Sequence, residues 1–253
     1  MAEVVFISDA HLGSGADSLD RERQLCHLLD NIKDDCRMLF LLGDIFDFWF
    51  TYRHTVPRGH TRLLGKIAEL SDSGVKVHFF IGNHDMWLFD YLEKEMGVVM
   101  HSEPEVMEID GKRFLIGHGD GLGHTDRWFE FIRFFFRSRF CQRLFAMLPA
   151  AWMFPVAHRW SDSNKRRHAR EDTLHYLGDD REGIVIYCKQ RLAHEYFDYC
   201  VFGHRHTPLV MPLDSSIYVN TGDWMLNRNY AVYSLDEHTL RLFDLRQGEI
   251  TGR

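Results

Sequence analysis

Cysteine is scarce in this sequence of 253 residues, and no two cysteines form a Cys-x-x-Cys motif. The spacing suggests neither a zinc knuckle nor a redox pair, and scattered free thiols are typical of proteins in reducing compartments. The sequence also lacks a basic N-terminal segment followed by an apolar one, and it has no run of about 20 apolar residues that would cross a bilayer. These absences predict a protein that stays in the cytoplasm.

A basic surplus is missing as well, since the formal net charge is -7 with 30 Lys and Arg against 37 Asp and Glu. That balance argues against nucleic acid as a partner, because nucleic-acid-binding domains usually carry excess positive charge. Hydrophobic residues make up 45% of the chain and aromatic residues 14%, which is enough for a full core and excludes disorder as the main state. The length fits one domain over residues 1–253 with a modest insertion.

Short apolar runs bounded by turn residues recur along the chain, and they predict buried strands. Helical patterns at residues 19–33, 58–73 and 86–96 separate the early runs, so we expect an α/β fold. Asp110-Gly111 supplies the turn of a predicted hairpin. The predicted strands are Val4–Ile7, Met38–Leu42, Val75–Ile81, Glu105–Ile109, Phe114–Ile116, Cys200–Phe202, Ile217–Val219 and Ala231–Leu235.

Residues 124–190 contain no predicted strand and interrupt the strand series, so they are interpreted as a helical cap inserted into the domain. Residues 124–170 hold ten Lys or Arg against three Asp or Glu, a net charge of +7 that leaves -14 on the remainder. Many amphipathic helices of this kind simply pack on their domain with a solvated charged face. The high aromatic content favours instead a pocket for an apolar substrate or contact with an anionic membrane surface.

Five polar clusters each follow a predicted strand, and ligands gather at the carboxyl ends of strands in α/β sheets. Any one cluster has an ordinary explanation, since Asn83 or Asp85 also suits a helix cap. Together their Asp, Asn and His side chains suit Mn²⁺, Fe or Zn²⁺ and argue against Ca²⁺. The clusters are Asp9-Ala10-His11, Gly43-Asp44-Ile45-Phe46-Asp47, Gly82-Asn83-His84-Asp85, Gly117-His118-Gly119-Asp120 and Gly203-His204-Arg205-His206.

This series resembles the calcineurin-like metallophosphoesterase superfamily, whose pattern is Asp-x-His, Gly-Asp-x-x-Asp, Gly-Asn-His followed by Asp or Glu, a strand-ending His, and Gly-His-x-His. The resemblance implies a fold of two packed sheets flanked by helices. In that superfamily two divalent ions about 3.5–4 Å apart lower the pKa of a bridging water and clamp phosphate oxygens for in-line attack. By resemblance one ion is held by Asp9, His11, Asp44 and His206, and the other by Asp44, Asn83, His118 and His204.

His84 is not needed as a ligand in that arrangement. We expect it to stabilise the developing charge or to protonate the leaving oxygen, with Asp85 orienting its ring. Asp47 and Asp120 are either residues that orient the ligands or ordinary carboxylates at strand ends.

The stretch Leu41–Trp49 resembles the Phe-acid-x-Trp form of the second motif in UDP-2,3-diacylglucosamine diphosphatases, which also insert a helical cap after a His-Gly-Asp motif. Those are peripheral membrane enzymes of lipid A synthesis that use Mn²⁺ and yield UMP and 2,3-diacylglucosamine 1-phosphate. The resemblance implies a lipid-linked nucleotide substrate, Mn²⁺, and contact with the cytoplasmic face of the inner membrane. It also implies substrate contacts from Asn83, His84, Asp126, Ser163, Asn164 and Lys165.

One position departs from that narrower family, whose well-known members carry arginine where this chain has His84. Histidine is the residue of the wider superfamily, so the substrate is either the same lipid or another nucleotide diphosphate, phosphodiester or phosphoprotein. A non-catalytic membrane-binding scaffold is a further alternative. Such scaffolds typically arise by loss of ligands, and this chain lacks none of the expected ones.

Overall fold

Two β-sheets and five helices with described ends form the structure, a computed structural model that describes residues 2–123, 135–136, 138–150, 152–154, 156 and 176–250. The helices are α1 (Ser18–Ile32), α2 (Thr61–Asp72), α3 (Tyr91–Met96), α4 (Arg139–Ala146) and α5 (Gly183–Leu192). The strands are β1 (Glu3–Ile7), β2 (Cys36–Leu41), β3 (Lys76–Phe80), β4 (Val99–His101), β5 (Glu105–Ile109), β6 (Lys112–Gly117), β7 (Tyr199–Phe202), β8 (Leu209–Leu213), β9 (Ser216–Asn220), β10 (Asn229–Ser234), β11 (Thr239–Asp244) and β12 (Gly248–Ile250).

The larger sheet joins a parallel half to an antiparallel half. Its strand order is β12-β11-β10-β1-β2-β3-β4, in which β1 to β4 are parallel and β10 to β12 are added by antiparallel pairing. Helices α1, α2 and α3 are the crossovers between the parallel strands, the usual connection for such pairs. The four parallel strands therefore end at the same edge of the sheet.

The smaller sheet has the order β5-β6-β7-β9-β8, with β6, β7 and β9 parallel and the two edge strands antiparallel. Successive side chains of a strand point to opposite faces. Val5 and Ile7 of β1 therefore pack with α1 and α2, whereas Val4 and Phe6 pack between the sheets with Phe114. Helix α5 covers the outer face of the smaller sheet. The predicted two-sheet sandwich flanked by helices is confirmed.

The helix predicted at residues 86–96 begins only at Tyr91. Trp87 instead forms an isolated parallel bridge with Phe50, and its carbonyl oxygen accepts the Thr51 N–H at 3.0 Å. This pairing between the loops that follow β2 and β3 keeps residue 87 out of the helix. The difference matters because the paired residues lie beside two of the polar clusters.

Helix α2 begins at Thr61 rather than near residue 58. The buried Glu22 of α1 accepts two backbone N–H groups in the first turn of α2, at 3.1 and 3.2 Å. A tertiary contact thus satisfies groups that a local cap often satisfies. The sequence patterns predict no strand at β4, β8, β11 or β12, of which β4 and β12 have only three residues each and β8 contains a proline.

Within residues 124–190 the described residues form α4 and α5 and no strand. Ile184, Val185 and Cys188 of α5 are buried against the smaller sheet, so α5 is also the outer layer of the sandwich. The extent of the cap, residues 124–190, stays a prediction. None of the described helices combines the length and the apolar content needed to cross a lipid bilayer.

Candidate metal centre

Loops from both sheets meet where their parallel strands end. The loop after β1 runs beside the loop after β2, since the Asp9 N–H donates to the Gly43 carbonyl at 3.1 Å and the His11 N–H to the Asp44 carbonyl at 2.9 Å. The loop after β7 joins them, because the His204 N–H donates to Asp9 Oδ2 at 2.8 Å. Strand order in the larger sheet and the packing of the two sheets thus bring three of the five polar clusters into direct contact.

The backbone is left-handed at most of the predicted ligands. L-residues other than glycine seldom adopt positive φ, although Asn, Asp and His do so more often than most. Such conformations cost on the order of 1 kcal/mol each and concentrate at functional sites. Five of the seven predicted ligands have a positive φ: Asp9 (53°), His11 (42°), Asp44 (52°), His204 (68°) and His206 (52°).

The first group of candidate ligands is Asp9, His11 and His206. His206 Nε2 lies 3.2 Å from Asp9 Oδ1 and 3.3 Å from His11 Nε2, and His11 Nε2 lies 3.9 Å from the same carboxylate oxygen. All three ligand atoms lie within 4.8 Å of one another. Ligands bound to one ion at about 2.0–2.2 Å have separations of this order, so the group is able to hold a metal ion.

The second group is Asp44, His118 and His204, with ligand atoms again within 4.8 Å of one another. His118 Nε2 lies 3.4 Å from Asp44 Oδ2. His118 Nδ1 lies 2.7 Å from the Leu42 carbonyl oxygen, which only accepts, so Nδ1 carries the hydrogen. Nε2 is therefore the nitrogen that faces Asp44, and a carbonyl partner of this kind fixes the orientation of many metal-binding histidines.

Asn83 also fits a ligand role. Its Oδ1 is buried and accepts no hydrogen bond from the residues that the structure describes. Buried amide oxygens nearly always have a partner, and a cation is one such partner. Asp44 lies between the groups, with Oδ2 3.8 Å from His11 Nε2 as well as 3.4 Å from His118 Nε2. The donor set therefore fits two cations that share Asp44.

Charges within the centre offset the effect of burial on its carboxyl groups. Burial alone raises the pKa of Asp44, but the charges of His118 and His84 hold that pKa well below its usual range. Burial likewise opposes ionisation of Asp9, and His206 nevertheless lowers the pKa of Asp9 to about 2. Both carboxylates are thus ionised and suited to a cation.

The pKa values of His118 and His204 shift in opposite directions. Burial lowers the pKa of His118, but the Asp44 charge outweighs it and raises the pKa well above its usual value. Burial and the charge of His118 together lower the pKa of His204 to about 4. His204 is therefore a neutral imidazole, the form that metal ions require, whereas His118 would have to release a proton to bind one.

His84 lies close enough to the first two loops for its ring to be a further ligand, since it forms a third group with His11 and Asp44 within 4.8 Å. Its backbone N–H donates to Asp44 Oδ1 at 2.8 Å. Its Nδ1 donates to the Asp47 carbonyl oxygen at 2.9 Å. The ring of His84 is therefore oriented by Asp47, with Nε2 on the side away from that carbonyl.

Asp85 has a different contact from the one predicted. Its Oδ1 accepts the Gly82 N–H at 2.9 Å, and its Oδ2 accepts the N–H groups of Ile45 and Phe46 at 2.9 and 3.4 Å. The prediction that Asp85 orients the ring of His84 is corrected on this point, because backbone donors occupy the carboxylate. Asp85 instead ties the loop after β3 to the loop after β2.

Asp47 lies between two imidazoles, with Oδ1 3.6 Å from His11 Nδ1 and 3.7 Å from His84 Nδ1. Of the two alternatives for Asp47, this position supports the orienting role. Asp120 is buried, and its charge contributes to the raised pKa of His118. The predicted substrate contacts Asp126, Ser163, Asn164 and Lys165 lie outside the described residues.

Two further parts of the chain support the centre and are absent from the sequence prediction. Buried Arg21 of α1 donates to the carbonyl oxygens of Ala10 and His11 at 3.2 and 3.1 Å. The loop after β9 donates the Trp224 N–H to the Asp9 carbonyl at 3.1 Å. Asn220 ends β9 and Thr-Gly-Asp follows it, the same signal that marks the five predicted clusters.

Most of the chain resembles proteins of known class. The family model for calcineurin-like phosphoesterases matches residues 2–208, a stretch that contains all seven predicted ligands. A UDP-2,3-diacylglucosamine hydrolase from Porphyromonas gingivalis is 38% identical over 246 residues, covering 92% of this chain and 94% of the relative. Another from Photorhabdus laumondii is 29% identical over 217 residues, covering 85% and 87%.

Among solved structures, an archaeal phosphodiesterase matches with a TM-score of 0.51 at 14% sequence identity, covering 96% of this chain and 99% of that one. A similarity at this level of identity concerns the fold alone. The motif resemblance is confirmed by the match to the family and to the two hydrolases.

Proposed function

Since the chain belongs to the calcineurin-like phosphoesterase family and is a hydrolase, we propose that it cleaves UDP-2,3-diacylglucosamine to UMP and 2,3-diacylglucosamine 1-phosphate. The observation that carries this proposal is the 38% identity to the Porphyromonas gingivalis hydrolase over 92% of the chain. A match of that extent takes in most of the predicted cap, and the family match at residues 2–208 takes in the metal motifs. The metal motifs support the type of reaction, and the cap supports the identity of the substrate.

The proposed ligands divide between two ions that share Asp44. The 3.2–3.9 Å separations among Asp9, His11 and His206 support one site, and the 3.4 Å approach of His118 to Asp44 supports the other. Mixed imidazole, carboxylate and amide donors suit Mn²⁺, with Fe and Zn²⁺ as alternatives. When bound, two such ions supply Lewis acidity and lower the pKa of a water molecule.

His84 acts on the leaving group in this proposal. The Asp47 carbonyl holds its Nδ1–H, so Nε2 is the atom presented to substrate, and the side chain is 20% exposed. In its protonated form His84 donates the Nε2 proton to the oxygen that leaves phosphorus. One water molecule is consumed for each phosphorus–oxygen bond that breaks.

An apolar surface on the cap supports contact with the cytoplasmic face of the inner membrane. Arg139 and Arg143 of α4 are exposed beside it and suit anionic lipid headgroups. Clustered exposed apolar residues mark protein or membrane interaction sites. We define this surface by the exposed large apolar residues that the structure describes between positions 135 and 156, which are Phe135, Phe140, Leu144, Met147, Leu148, Trp152 and Val156.

Release of UMP tests the proposed substrate. The purified chain is incubated with Mn²⁺ and detergent-dispersed UDP-2,3-diacylglucosamine, and UMP is measured by chromatography. We expect UMP from the wild-type protein and none after chelation by EDTA. A wild-type protein that hydrolyses bis(4-nitrophenyl) phosphate but releases no UMP would refute the lipid substrate and favour a soluble nucleotide or diester.

Co-sedimentation with vesicles tests the membrane contact. Phe140→Ser on α4 should reduce binding to vesicles that contain phosphatidylglycerol, whereas Leu19→Ser, at an exposed apolar position of α1, should not. Equal binding by both variants would argue against the proposed surface. Activity on a soluble diester controls for folding.

A further inference from the structure

Trp87 joins the loop of the third motif to the predicted cap. It lies three residues after His84, and its side chain is buried although the indole is large. The indole Nε1 donates a hydrogen bond to the carbonyl oxygen of Phe136 at 2.8 Å. Because Phe136 belongs to the cap, this bond connects the cap directly to the segment that carries Asn83 and His84.

Aromatic rings extend the same contact. The Trp87 ring lies 5.2 Å from the Phe136 ring and 4.8 Å from the Phe145 ring of α4, measured between centroids. Phe145 also lies 4.6 Å from Phe50 and 6.3 Å from Phe48. Phe48 and Phe50 follow Asp47, so α4 packs on the loops of both the second and the third motif.

These contacts connect the described part of the cap to the paired loops that hold His84. The Thr51 N–H donates to the Trp87 carbonyl, which pairs the two loops, and the Asp47 carbonyl accepts from His84 Nδ1 within the same pair of loops. Trp87 itself supplies no candidate ligand atom. Its hydrogen bond to the cap is directional, and a directional bond sets position in a way that ring packing alone does not.

We propose that Trp87 is a positioning residue that holds the cap in place beside His84 and so determines specificity for substrates with a large apolar group. The inference rests on the proposed function, because it assigns the cap to binding of the lipid part of that substrate. A surface held in place before binding loses less conformational freedom when a large ligand arrives. A small diester reaches only the metal centre and gains nothing from the cap.

The test compares Trp87→Phe with Tyr199→Phe. The first change keeps a ring but removes the donor to Phe136. Tyr199 is the matched control, since it is also buried and its O–H donates to a backbone carbonyl, that of His238, at 3.2 Å. It begins β7, at the end of the strand away from the metal centre, and its ring contacts are with Phe114 and Tyr233. Steady-state kinetics are measured with UDP-2,3-diacylglucosamine and with bis(4-nitrophenyl) phosphate.

We expect Trp87→Phe to raise KM for the lipid about fivefold, the scale of one lost hydrogen bond, with kcat within about twofold of wild type. Such a split indicates a loss of binding rather than of transition-state stabilisation. Hydrolysis of the diester should stay unchanged, and Tyr199→Phe should leave the kinetics of both substrates unaffected. Trp87→Leu, which also removes the ring, should raise KM further.

Other outcomes separate the two proposals. If Trp87→Phe releases UMP with the wild-type KM for the lipid, the proposed role of Trp87 is overturned and the proposed substrate is not. An equal loss on both substrates also overturns the proposed role of Trp87, because that result indicates a general structural role. Absence of UMP from the wild-type protein overturns the proposed substrate and this inference together.

Discussion

Gly82 lies so close to Asp44 that a side chain has no room, and this contact gives the sharpest test of the centre. A Cβ at residue 82 would lie 2.5 Å from the backbone nitrogen of Asp44 and would also clash with Oδ1 of the Asp44 side chain. Carbon contacts are ordinary at about 3.5 Å, so in Gly82→Ala the Asp44 segment must withdraw by about 1 Å. A displacement of about 1 Å costs on the order of 10²-fold in rate. We therefore expect kcat to fall about 100-fold.

The variant is assayed with bis(4-nitrophenyl) phosphate in saturating Mn²⁺, and its manganese content is measured after desalting. Because Asp44 is proposed to bind both ions, we expect less than two equivalents of manganese. Gly65→Ala is the control, since Gly65 lies within α2 and a Cβ there meets no atom within 4 Å. It should keep full activity and gain roughly 0.5–1 kcal/mol of stability. Gly82→Ala with two manganese ions and wild-type kcat would refute the reasoning.

Three further predictions concern neighbouring groups. His84→Ala should lower kcat by roughly 10²-fold while both manganese ions stay bound, and loss of manganese on elemental analysis would identify His84 as a ligand instead. Asp85→Asn should destabilise the fold by about 1–3 kcal/mol, because the new amide N–H₂ must face a backbone N–H. Calorimetry in saturating Mn²⁺ should show a Tm lower by roughly 3–10 °C, and an unchanged Tm would contradict this prediction. EDTA should abolish diester hydrolysis and added Mn²⁺ should restore it, whereas activity that survives exhaustive chelation would argue against the dimetal centre.

The strand ends were predictable because local composition determines them. An apolar run followed by Asp or His specifies both the buried strand and the polar turn. Asp9 and Asp44 meet because parallel strands of the larger sheet end at one edge, and His204 joins them from the smaller sheet. The end of β9 and the loop after it carry the same pattern of polar residues, in Asn220 and Asp223. These residues are also ordinary turn formers, so composition alone did not distinguish the loop from a simple turn.

Contacts between loops were less predictable. Asp85 is next to His84 in sequence, yet its carboxylate is taken by backbone N–H groups from two loops, and Asp47 orients the imidazole instead. Trp87 has a helical pattern around it but pairs with Phe50 across the loops. In both cases a partner about 40 residues away decides the outcome, and no local periodicity encodes it.

The division of the proposed ligands between the two sheets has a consequence for protein synthesis. Four of the seven follow strands of the larger sheet, namely Asp9, His11, Asp44 and Asn83, whereas His118, His204 and His206 follow strands of the smaller one. A nascent chain that has not yet emerged beyond His206 carries an incomplete set, and β1 meets β10 only later still. The proposed metal centre is therefore complete only after His206 has been synthesised, and a chain interrupted before that residue should show no hydrolytic activity.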